Sequence, residues 1–518
     1  MTPLEIDLTP EQYHIEPELY AAVARKLQVP VADIGRVVVR RRSLDSRRGV
    51  RYKAQLEVYM QGETFVQPDY RGHYRDCASS PRVVIVGAGP AGLFAALRAL
   101  ELGLKPVVVE RGRPVEERKY DIAKLTRQRI VNPDSNWCFG EGGAGTYSDG
   151  KLFTRSTKRG NVEDILYRFV EHGADPGILI DAHAHIGTDR LSGIIAAMRQ
   201  TIIGYGGEVH FGSRVEDLIV QNGRVQGVVC ADGSRYEGRG VVLATGHSAR
   251  DIYELFHAKQ WLLQAKPFAM GARVEHPQQL INTIQYHSAH PSPYLPPAAY
   301  SLTAQVGGHG VFSFCMCPGG IIVPAATGER QQVVNGMSNS RRNSPFANSG
   351  IAVTVSQADV PQYAQYGELA LLRFQQEVEE RTYAAAGNST QAPSQRLADF
   401  CSSKLSARLN KSNYMGTCVS APVHDVLPSF VVEGLQQGFR LFDRKMRGFL
   451  TNEASILAVE SRTSSPVRIP RGADYQHPQL QGLYPCGEGA GYAGGIVSSA
   501  LDGVNCIEAL AKELSLNQ

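Results

Sequence analysis

The chain has 518 residues and a formal net charge of +4, with 43% hydrophobic and 20% charged residues, which fits a globular protein of about three domains and gives no reason to expect a polyanionic partner. No apolar run is long enough to cross a bilayer, and the first residues carry acids where a signal peptide needs a basic start, so neither a membrane span nor export is expected. Nine cysteines, an odd number without a Cys-x-x-Cys pair, are typical of reduced thiols in a cytoplasmic protein.

Residues 1–78 are predicted to form a small α+β domain. Apolar residues at helical spacing predict a helix over 17–27, and strands are predicted at 37–39 and 52–59. Eight basic residues lie between positions 36 and 53 against one acid. Such a cluster is typical either of a solvated strand face or of a surface that binds RNA or a nucleotide phosphate. In the second case the phosphate-binding residues would be Arg40, Arg41, Arg42, Arg47 and Arg48. The near balance of twelve basic and eleven acidic side chains over the first 80 residues favours the solvated face.

A dinucleotide-binding motif begins the next segment. Residues 83–92 read Val-Val-Ile-Val-Gly-Ala-Gly-Pro-Ala-Gly, an apolar strand that runs into Gly-x-Gly-x-x-Gly at the start of a helix, and a second strand ends on Glu110. Gly87 permits the sharp turn, Gly89 the close approach of a pyrophosphate, and Gly92 the close packing of the helix on the sheet. The helix N-terminus favours a phosphate. Glu110 is placed to accept both ribose hydroxyls, so the segment predicts a Rossmann-like dinucleotide site.

Two later segments have features that suit the same ligand. Residues 140–151 hold a second glycine cluster, in which backbone N–H groups can approach a ligand closely, although a flexible surface loop has the same composition. Between 207 and 246 a series of short strands is predicted, with hairpin turns at 222–223 and 232–233. The series ends in an apolar strand that runs into Ala-Thr-Gly at 244–246.

The block 265–450 is predicted to be a substrate domain inserted into the nucleotide-binding fold. It contains proline-rich loops, a strand near 268–274, and a long helix predicted from about 363 to 386, followed by a soft linker at 387–394. The chain then returns to the nucleotide-binding fold over 451–518.

The spread of these segments favours FAD over a nicotinamide dinucleotide as the bound cofactor. A nicotinamide dinucleotide needs little beyond the first motif, whereas FAD is also held along its ribityl chain and flavin ring. A third glycine cluster at 487–495 supplies the late turn for this purpose: Glu488 suits the ribityl hydroxyls, and the helix predicted over 497–510 directs its positive end toward the flavin. Non-covalent FAD is therefore the predicted cofactor, with NAD(P)H as a transient visitor if it is the electron source.

The motifs at 87–92, 140–151, 244–253, 315–320, 460–468 and 487–495 together resemble a bacterial family of largely uncharacterised FAD-dependent dehydrogenases over essentially the full chain. More distantly, the chain is similar to the glutathione-reductase-type FAD fold. The resemblance implies an α/β fold class: a glutathione-reductase-type, Rossmann-like FAD-binding domain (79–264 and 451–518), an inserted α+β substrate domain (265–450) and the small N-terminal α+β domain (1–78). It implies redox chemistry but no particular substrate, and the dicarboxylate-binding pattern of fumarate reductases is missing.

Carried onto this sequence, the resemblance implies pyrophosphate contacts by the first glycines, an adenine contact by the backbone of Val215, and a flavin-edge contact by Ile496. The predicted cofactor-binding residues are Gly87, Gly89, Pro90, Ala91, Gly92, Glu110, Arg111, Gly142, Gly143, Ala144, Gly145, Ser148, Val215, Thr245, Gly246, Gly487, Glu488, Gly494, Gly495 and Ile496.

Four residues of the inserted block are candidates for catalysis. Cys315 and Cys317 could place a thiol near the flavin as a proton donor or redox partner, or they are two inert buried cysteines on one strand face. Arg273 and His276 follow an apolar strand and could fix an anionic substrate and deliver a proton, or they form a strand-end salt bridge. No metal is predicted, because the His-x-His pair at 183–185 has no further ligand at a recognised spacing.

The leading hypothesis is an FAD-dependent oxidoreductase that transfers a hydride equivalent between the flavin and a carbon of a medium-sized organic substrate held by the 265–450 block. One alternative is an RNA-interacting flavoprotein that uses the basic N-terminal cluster, although nucleic acid is not the expected partner. The other alternative is a flavin-binding scaffold without turnover. The sequence leaves the substrate, the proton donor and the oligomeric state open.

Overall fold

The computed structural model describes residues 1–47, 49–154 and 157–516. The N-terminal domain is a three-stranded antiparallel sheet in the order β1-β3-β2, and the apolar face of α2 packs on it. Its elements are β1 (Thr2–Leu8), α1 (Pro10–His14), α2 (Glu16–Leu27), β2 (Ile34–Asp45) and β3 (Arg51–Met60). The predicted helix and both predicted strands of this domain are therefore present.

The basic cluster of this domain lies along β2 and β3. Three of its arginines are paired with carboxylates, in the ion pairs Arg40–Glu57, Arg42–Asp181 and Arg47–Asp45. The fifth of the predicted phosphate-binding arginines, Arg48, lies outside the described residues. Paired guanidinium groups at this surface fit the solvated strand face that the charge balance favours.

The FAD-binding domain is built on a five-stranded parallel sheet in the order β22-β10-β4-β5-β6, in which β22 is Leu483–Pro485 near the end of the chain. Helices α3, α6 and the C-terminal α13 (Ile496–Leu516) cover one face, while α7 and a three-stranded antiparallel sheet, β7-β8-β9, cover the other. The elements from the first part of the domain are β4 (Arg82–Val86), α3 (Pro90–Glu101), β5 (Lys105–Val109), α4 (Val115–Gln128), α5 (Val162–Glu171), α6 (Thr188–Gly204), β6 (Glu208–His210), β7 (Val215–Gln221), β8 (Arg224–Cys230), β9 (Arg235–Glu237), β10 (Val241–Leu243), α7 (Arg250–Ala258) and β11 (Gln264–Ala265). This is the Rossmann-like fold that the sequence predicts.

The inserted domain is a seven-stranded, mainly antiparallel sheet in the order β13-β14-β17-β12-β20-β18-β19, with helices packed against it. Its elements are β12 (Phe268–Pro277), α8 (Gln278–Tyr286), β13 (Thr303–Val306), β14 (His309–Cys317), β15 (Ile321–Pro324), β16 (Val334–Met337), β17 (Phe346–Val355), α9 (Ala370–Ala385), β18 (Ala392–Arg396), α10 (Leu397–Cys401), β19 (Cys418–Ser420), α11 (Val423–Val426), α12 (Ser429–Lys445) and β20 (Ser455–Glu460). The chain then re-enters the FAD-binding domain through β21 (Val467–Arg468), β22 (Leu483–Pro485) and α13 (Ile496–Leu516). No helix in the described ranges is long and apolar enough to cross a bilayer.

Three local expectations differ from the structure of the inserted domain. The long helix predicted from about 363 begins instead at Ala370, after 3-10 turns interrupted by Gly367 at a φ of +55°. The predicted soft linker at 387–394 runs into the strand Ala392–Arg396, which is buried because it pairs with β20 and β19. Strand β20 itself belongs to this sheet although it lies beyond residue 450, where the sequence places the end of the insertion.

Candidate functional site

A cleft lies at the carboxyl ends of the parallel strands, between the FAD-binding domain and the inserted domain. It encloses about 1790 Å³, part of which is open to solvent. Strands β4, β5, β10 and β22 each end at its wall, where Gly87, Glu110, Thr245 and Gly487 follow them. The carboxyl edge of an open parallel sheet is the usual ligand-binding edge of such folds.

The structure brings nearly all of the predicted cofactor-binding residues to this cleft. Those that line it are Gly87, Gly89, Pro90, Ala91, Glu110, Arg111, Gly143, Ala144, Gly145, Ser148, Val215, Thr245, Gly246, Gly487, Glu488, Gly494, Gly495 and Ile496. Gly92 and Gly142 do not line it. A Cβ on Gly92 would lie 1.8 Å from the Gly87 carbonyl oxygen, and one on Gly142 would lie 2.0 Å from Thr146 Oγ1, so both glycines serve local packing.

The cleft fits an elongated dinucleotide, because backbone rather than side chains forms much of its wall. A Cβ added to Gly246, Gly494 or Gly495 would meet no atom within 4 Å, and one added to Gly89 would meet only the Gly143 Cα at 3.9 Å. Side chains at these positions would fill the path of a ligand. The N-terminal ends of α3 and α13 both lie at the cleft, where their positive dipole ends favour phosphate and an electron-rich ring edge.

Glu110 ties three turns of the cleft together. One of its carboxylate oxygens accepts hydrogen bonds from the backbone N–H groups of Gly112 and Gly140, at 2.8 and 3.0 Å, and the other accepts from Ala88 at 2.8 Å. The side chain is 5% exposed, and it still faces the cleft. The oxygen that accepts from Ala88 has one lone-pair site left, so Glu110 can accept one ribose hydroxyl alongside this structural role, whereas the sequence predicts contacts to both.

Glu488 and His247 meet at the other end of the dinucleotide path. The His247 ring bonds to Glu488 through Nδ1 at 3.0 Å and to the Arg462 carbonyl through Nε2 at 3.1 Å. Burial opposes ionisation of Glu488, but the hydrogen bond from His247 outweighs it and lowers the pKa of the carboxyl. With both ring nitrogens engaged, the His247 ring holds the Glu488 side chain in place.

Arg118 organises the glycine loop at 140–146, a role that no local sequence pattern indicates. Its guanidinium is fully buried, donates to the carbonyl oxygens of Asn136, Glu141 and Gly143 at 2.8 Å each, and lies over the Tyr147 ring at 4.8 Å. These bonds satisfy loop carbonyls that no secondary structure engages. A basic residue on an amphipathic helix has no local feature that distinguishes such a role from a solvated one.

The wall opposite the glycine turns is formed by Lys151 and by residues of the inserted domain, among them Phe314, Cys315 and Asn335. Lys151 forms an ion pair with Asp149 at 3.1 Å and donates to the Met316 carbonyl oxygen. Lys151 closes the second glycine cluster in the sequence, but its place beside Cys315 depends on long-range packing.

The candidate catalytic residues divide into two groups. Cys315 lines the cleft, Cys317 is buried behind it, and Arg273 is buried there too, donating to the Cys315 carbonyl oxygen at 3.3 Å and pairing with Glu460 at 2.7 Å. His276 is not brought to the cleft: its ring is fully buried, bonds to the Phe449 carbonyl at 2.8 Å, and has its pKa lowered by burial to about 4. The His276 ring is therefore not among the described side chains that can contact a substrate in the cleft.

The two cysteines have opposite acid strengths. The hydrogen bond from the Cys317 thiol, with the charges of Lys151 and Arg273, outweighs burial and lowers the pKa of Cys315 to about 6. The same hydrogen bond, together with burial, raises the pKa of Cys317. Cys315 is thus the more acidic thiol of the pair and the one that faces the cleft.

A buried ion cluster joins the two domains beneath the cleft. Glu379, on α9, accepts from Arg250 on α7 at 2.8 Å and pairs with Arg462 at 3.1 Å. Arg462 also donates to Ser248 and Thr327, so its guanidinium is engaged in structure although the residue lines the cleft.

Cys486, Asp502 and Cys506 form a buried group whose ligand-type atoms lie within 4.8 Å of one another. The positive charge beside this group is the guanidinium of Arg471, which lies 2.6 Å from Asp502 and 3.3 Å from the Cys506 sulfur. Since Asp502 also accepts from the Gly487 N–H at 2.7 Å, this cluster anchors the late glycine turn to α13.

Three family models match parts of the chain. A model described as the C-terminal domain-like region of FAD-dependent proteins matches residues 267–463, an FAD-binding domain model matches 82–118, and the DUF8436 domain of unknown function matches 2–59. The matches to the FAD-dependent and FAD-binding models identify FAD as the cofactor of the cleft and support an FAD-dependent oxidoreductase.

A protein of Clostridium beijerinckii, described as uncharacterized, is 37% identical over 516 residues, covering 95% of this chain and 96% of its own. Similar solved structures include the tetracycline destructase Tet(51), at 11% identity, TM-score 0.33 and coverage of 85% and 83% of the two chains. CtdE in complex with FAD is 11% identical, with a TM-score of 0.32 and coverage of 84% of this chain and 83% of its own. A geranylgeranyl bacteriochlorophyll reductase-like protein of Thermoplasma acidophilum is 12% identical, with a TM-score of 0.33 and coverage of 85% of this chain and 79% of its own.

Proposed function

This chain belongs to the family of FAD-dependent proteins that includes its Clostridium beijerinckii relative, and from that premise we propose that it is an oxidoreductase transferring a hydride equivalent between FAD and an organic substrate. The substrate lies on the inserted-domain side of the cleft. NAD(P)H, if it supplies the electrons, visits the same side transiently.

One observation carries this proposal: a cleft with two chemically different walls. The FAD-binding wall consists of glycine turns and helix N-termini, whereas the other wall presents Phe314, Cys315, Asn335 and Lys151. A scaffold that only stored flavin would have no need for an acidic thiol and a lysine facing the ligand. A cleft with an apolar ring and a few convergent polar groups is typical of a substrate site.

The side chains of the second wall have distinct tasks in this proposal. FAD supplies the two-electron chemistry when bound. Cys315 takes up or returns the proton that accompanies it, because its thiol faces the cleft with a pKa of about 6, near the working range of a general acid or base. Lys151 and Arg273 hold Cys315 in place and favour its thiolate, while Phe314 and Asn335 offer an apolar face and an amide to the substrate.

The test uses the FAD-reconstituted protein. After anaerobic photoreduction, the flavin absorbance is followed as a panel of organic acceptors is added, and the panel is then repeated with Phe314→Ala and Asn335→Ala. We expect at least one acceptor to reoxidise the wild type rapidly and both variants roughly tenfold or more slowly. An exposed aromatic variant, Tyr120→Ala, is the matched control and should behave as the wild type.

Two results would overturn the proposal. A protein without flavin absorbance after reconstitution removes the oxidoreductase. Reoxidation rates that are the same in the wild type and both variants, for every acceptor, remove the assignment of the inserted-domain wall as the substrate side.

A further inference from the structure

Strand β14 departs from regular geometry at its two cysteines. Phe314 pairs with Gly350 and Cys317 with Asn348, so β14 holds one extra residue in this interval, as in a β-bulge. Cys315 has a φ of +49°, a left-handed conformation that is costly for any residue with a Cβ. Such strain persists where the surrounding structure imposes it, and it is concentrated at functional sites.

The irregular backbone turns the Cys317 side chain back toward Cys315. In a regular strand, alternate residues are about 6.6 Å apart, near the upper limit of Cα separations in disulfides. Here the Cys317 sulfur donates to the Cys315 carbonyl oxygen at 3.2 Å, and the two thiol groups are close enough for each to change the acidity of the other. The pair is a dithiol with one member at the cleft and the other buried behind it.

The surroundings of the pair suit one thiolate and one thiol. Lys151 donates to the carbonyl oxygen of Met316, between the cysteines, and Arg273 donates to that of Cys315. These cations favour a negative sulfur at the cleft, and Cys317 stays protonated in the interior. A thiolate next to a protonated thiol is the reactive form of a redox dithiol.

We propose that Cys315 and Cys317 form a redox-active dithiol that exchanges an electron pair with FAD in the cleft. From the Cys315 thiolate and the Cys317 thiol, the S–S bond forms as the Cys317 S–H bond breaks. The electron pair and that proton pass to FAD, which is reduced by two electrons to its anionic form, and the reverse step restores the dithiol. The inference goes beyond the proposed function, because it adds a second redox centre and requires FAD binding but no particular organic substrate.

The first experiment is an anaerobic dithionite titration of the FAD-reconstituted protein after full oxidation, followed by flavin absorbance. The wild type should take up four electrons per FAD, two for the flavin and two for the disulfide. Cys315→Ser and Cys317→Ser should each take up two. Cys418→Ser, at a partly buried cysteine at the far edge of the same sheet, should still take up four. Uptake of two electrons by the wild type overturns the proposal, and so does uptake of four by both cysteine variants.

The second experiment needs no variant and does not depend on activity. The tryptic fragment 274–330 contains only these two cysteines, so its mass after alkylation under denaturing conditions counts their free thiols. In the oxidised wild type we expect no alkylation and a fragment mass two hydrogen atoms below that of the dithiol form. After reduction we expect both thiols of the fragment to be alkylated. Two free thiols in the oxidised protein would overturn the proposal even if the variants failed to fold. Failure of the acceptor panel with success here would leave the dithiol standing and remove only the proposed substrate reaction.

Discussion

At the scale of single residues, the acidity of Cys315 depends on its neighbour. Replacing Cys317 with Ala removes the hydrogen bond that contributes most to the low pKa of Cys315. We expect the inflection in the rate of iodoacetamide alkylation to lie near pH 6 in the wild type and to move toward the ordinary value near 9 in Cys317→Ala. The measurement is the mass of fragment 274–330 as a function of pH.

Cys418 is an internal comparison for this experiment, because burial raises its pKa. It should alkylate more slowly than Cys315 at neutral pH in both proteins. An inflection near 9 for Cys315 in the wild type would contradict the electrostatic account of the cleft.

Glu110 provides a second residue-scale prediction. Glu110→Gln keeps the shape of the side chain, but whichever way the amide turns, its NH2 group faces at least one of the three backbone donors. An unpaired buried donor costs about 1–3 kcal/mol. We expect a lower melting temperature of the apoprotein and an FAD affinity reduced by roughly tenfold or more, measured by flavin fluorescence titration.

The control for this variant is Glu216→Gln, on the exposed side of β7, which should leave both quantities nearly unchanged. Equal FAD affinity in Glu110→Gln and wild type would contradict the place of Glu110 in the cleft.

The residues of the cleft differ in how far the sequence could reveal them. Gly89, Glu110 and Glu488 could be identified because each lies at a fixed step of a strand-turn-helix pattern that folds locally. Arg118 and Lys151 could not, because they act through contacts with segments distant in the chain. The sequence predicts that His276 follows the end of a strand, but the residue lies inside β12 and its ring is buried in the core. Strand periodicity does not decide which face of a strand meets the ligand.

At the scale of elements, the cleft depends on the close packing of α3 against α13. Gly503 of α13 makes this possible, since a Cβ there would lie 2.0 Å from the carbonyl oxygen of Ala91, in the first turn of α3. Gly503→Ala must push the two helices apart where α13 crosses the first turn of α3. We expect a loss of about 1–3 kcal/mol in the free energy of unfolding, together with weaker FAD binding.

Gly193 provides the matched control, because it also lies inside a helix but a Cβ there would meet no atom within 4 Å. Gly193→Ala should increase stability by up to about 1 kcal/mol and leave FAD affinity unchanged. Chemical denaturation measures the free energy of unfolding of both variants, and flavin titration measures their FAD affinity. A Gly503→Ala protein that behaved like Gly193→Ala would show that the helices are not held by this contact.

Elements that are regular in sequence could be predicted, and those defined by their partners could not. The strand Arg82–Val86 and the helix Glu16–Leu27 follow their hydrophobic patterns closely. The strand Ala392–Arg396, in contrast, has the composition of a linker, and it is a strand because β20 and β19 supply its hydrogen bonds. The sequence of β14 likewise fits a regular strand, and its bulge is visible only in the register with β17.

At the scale of the whole molecule, the buried carboxylate of Glu379 is one of the contacts that join the inserted domain to the FAD-binding domain. Burial disfavours the ionised form of Glu379, but the charges of Arg250 and Arg462 outweigh burial and lower its pKa to about 2. Glu379 lies on α9, Arg250 on α7, and Arg462 just after β20, so no local sequence pattern predicts the cluster.

This cluster predicts how the protein responds to acid. In the unfolded chain the carboxyl has its ordinary pKa of 4.5, so the stability that ionised Glu379 contributes is complete above that value and is lost as the pH falls toward 2. Glu379→Gln leaves two buried guanidinium groups without their counter-ion, which costs about 3–5 kcal/mol at neutral pH. The variant should therefore melt lower at pH 7 and lose less of its remaining stability between pH 5 and pH 3 than the wild type. Glu380→Gln, at the exposed neighbouring position, should keep the wild-type profile. Melting temperatures with the same pH dependence in all three proteins would show that ionisation of Glu379 does not contribute to stability.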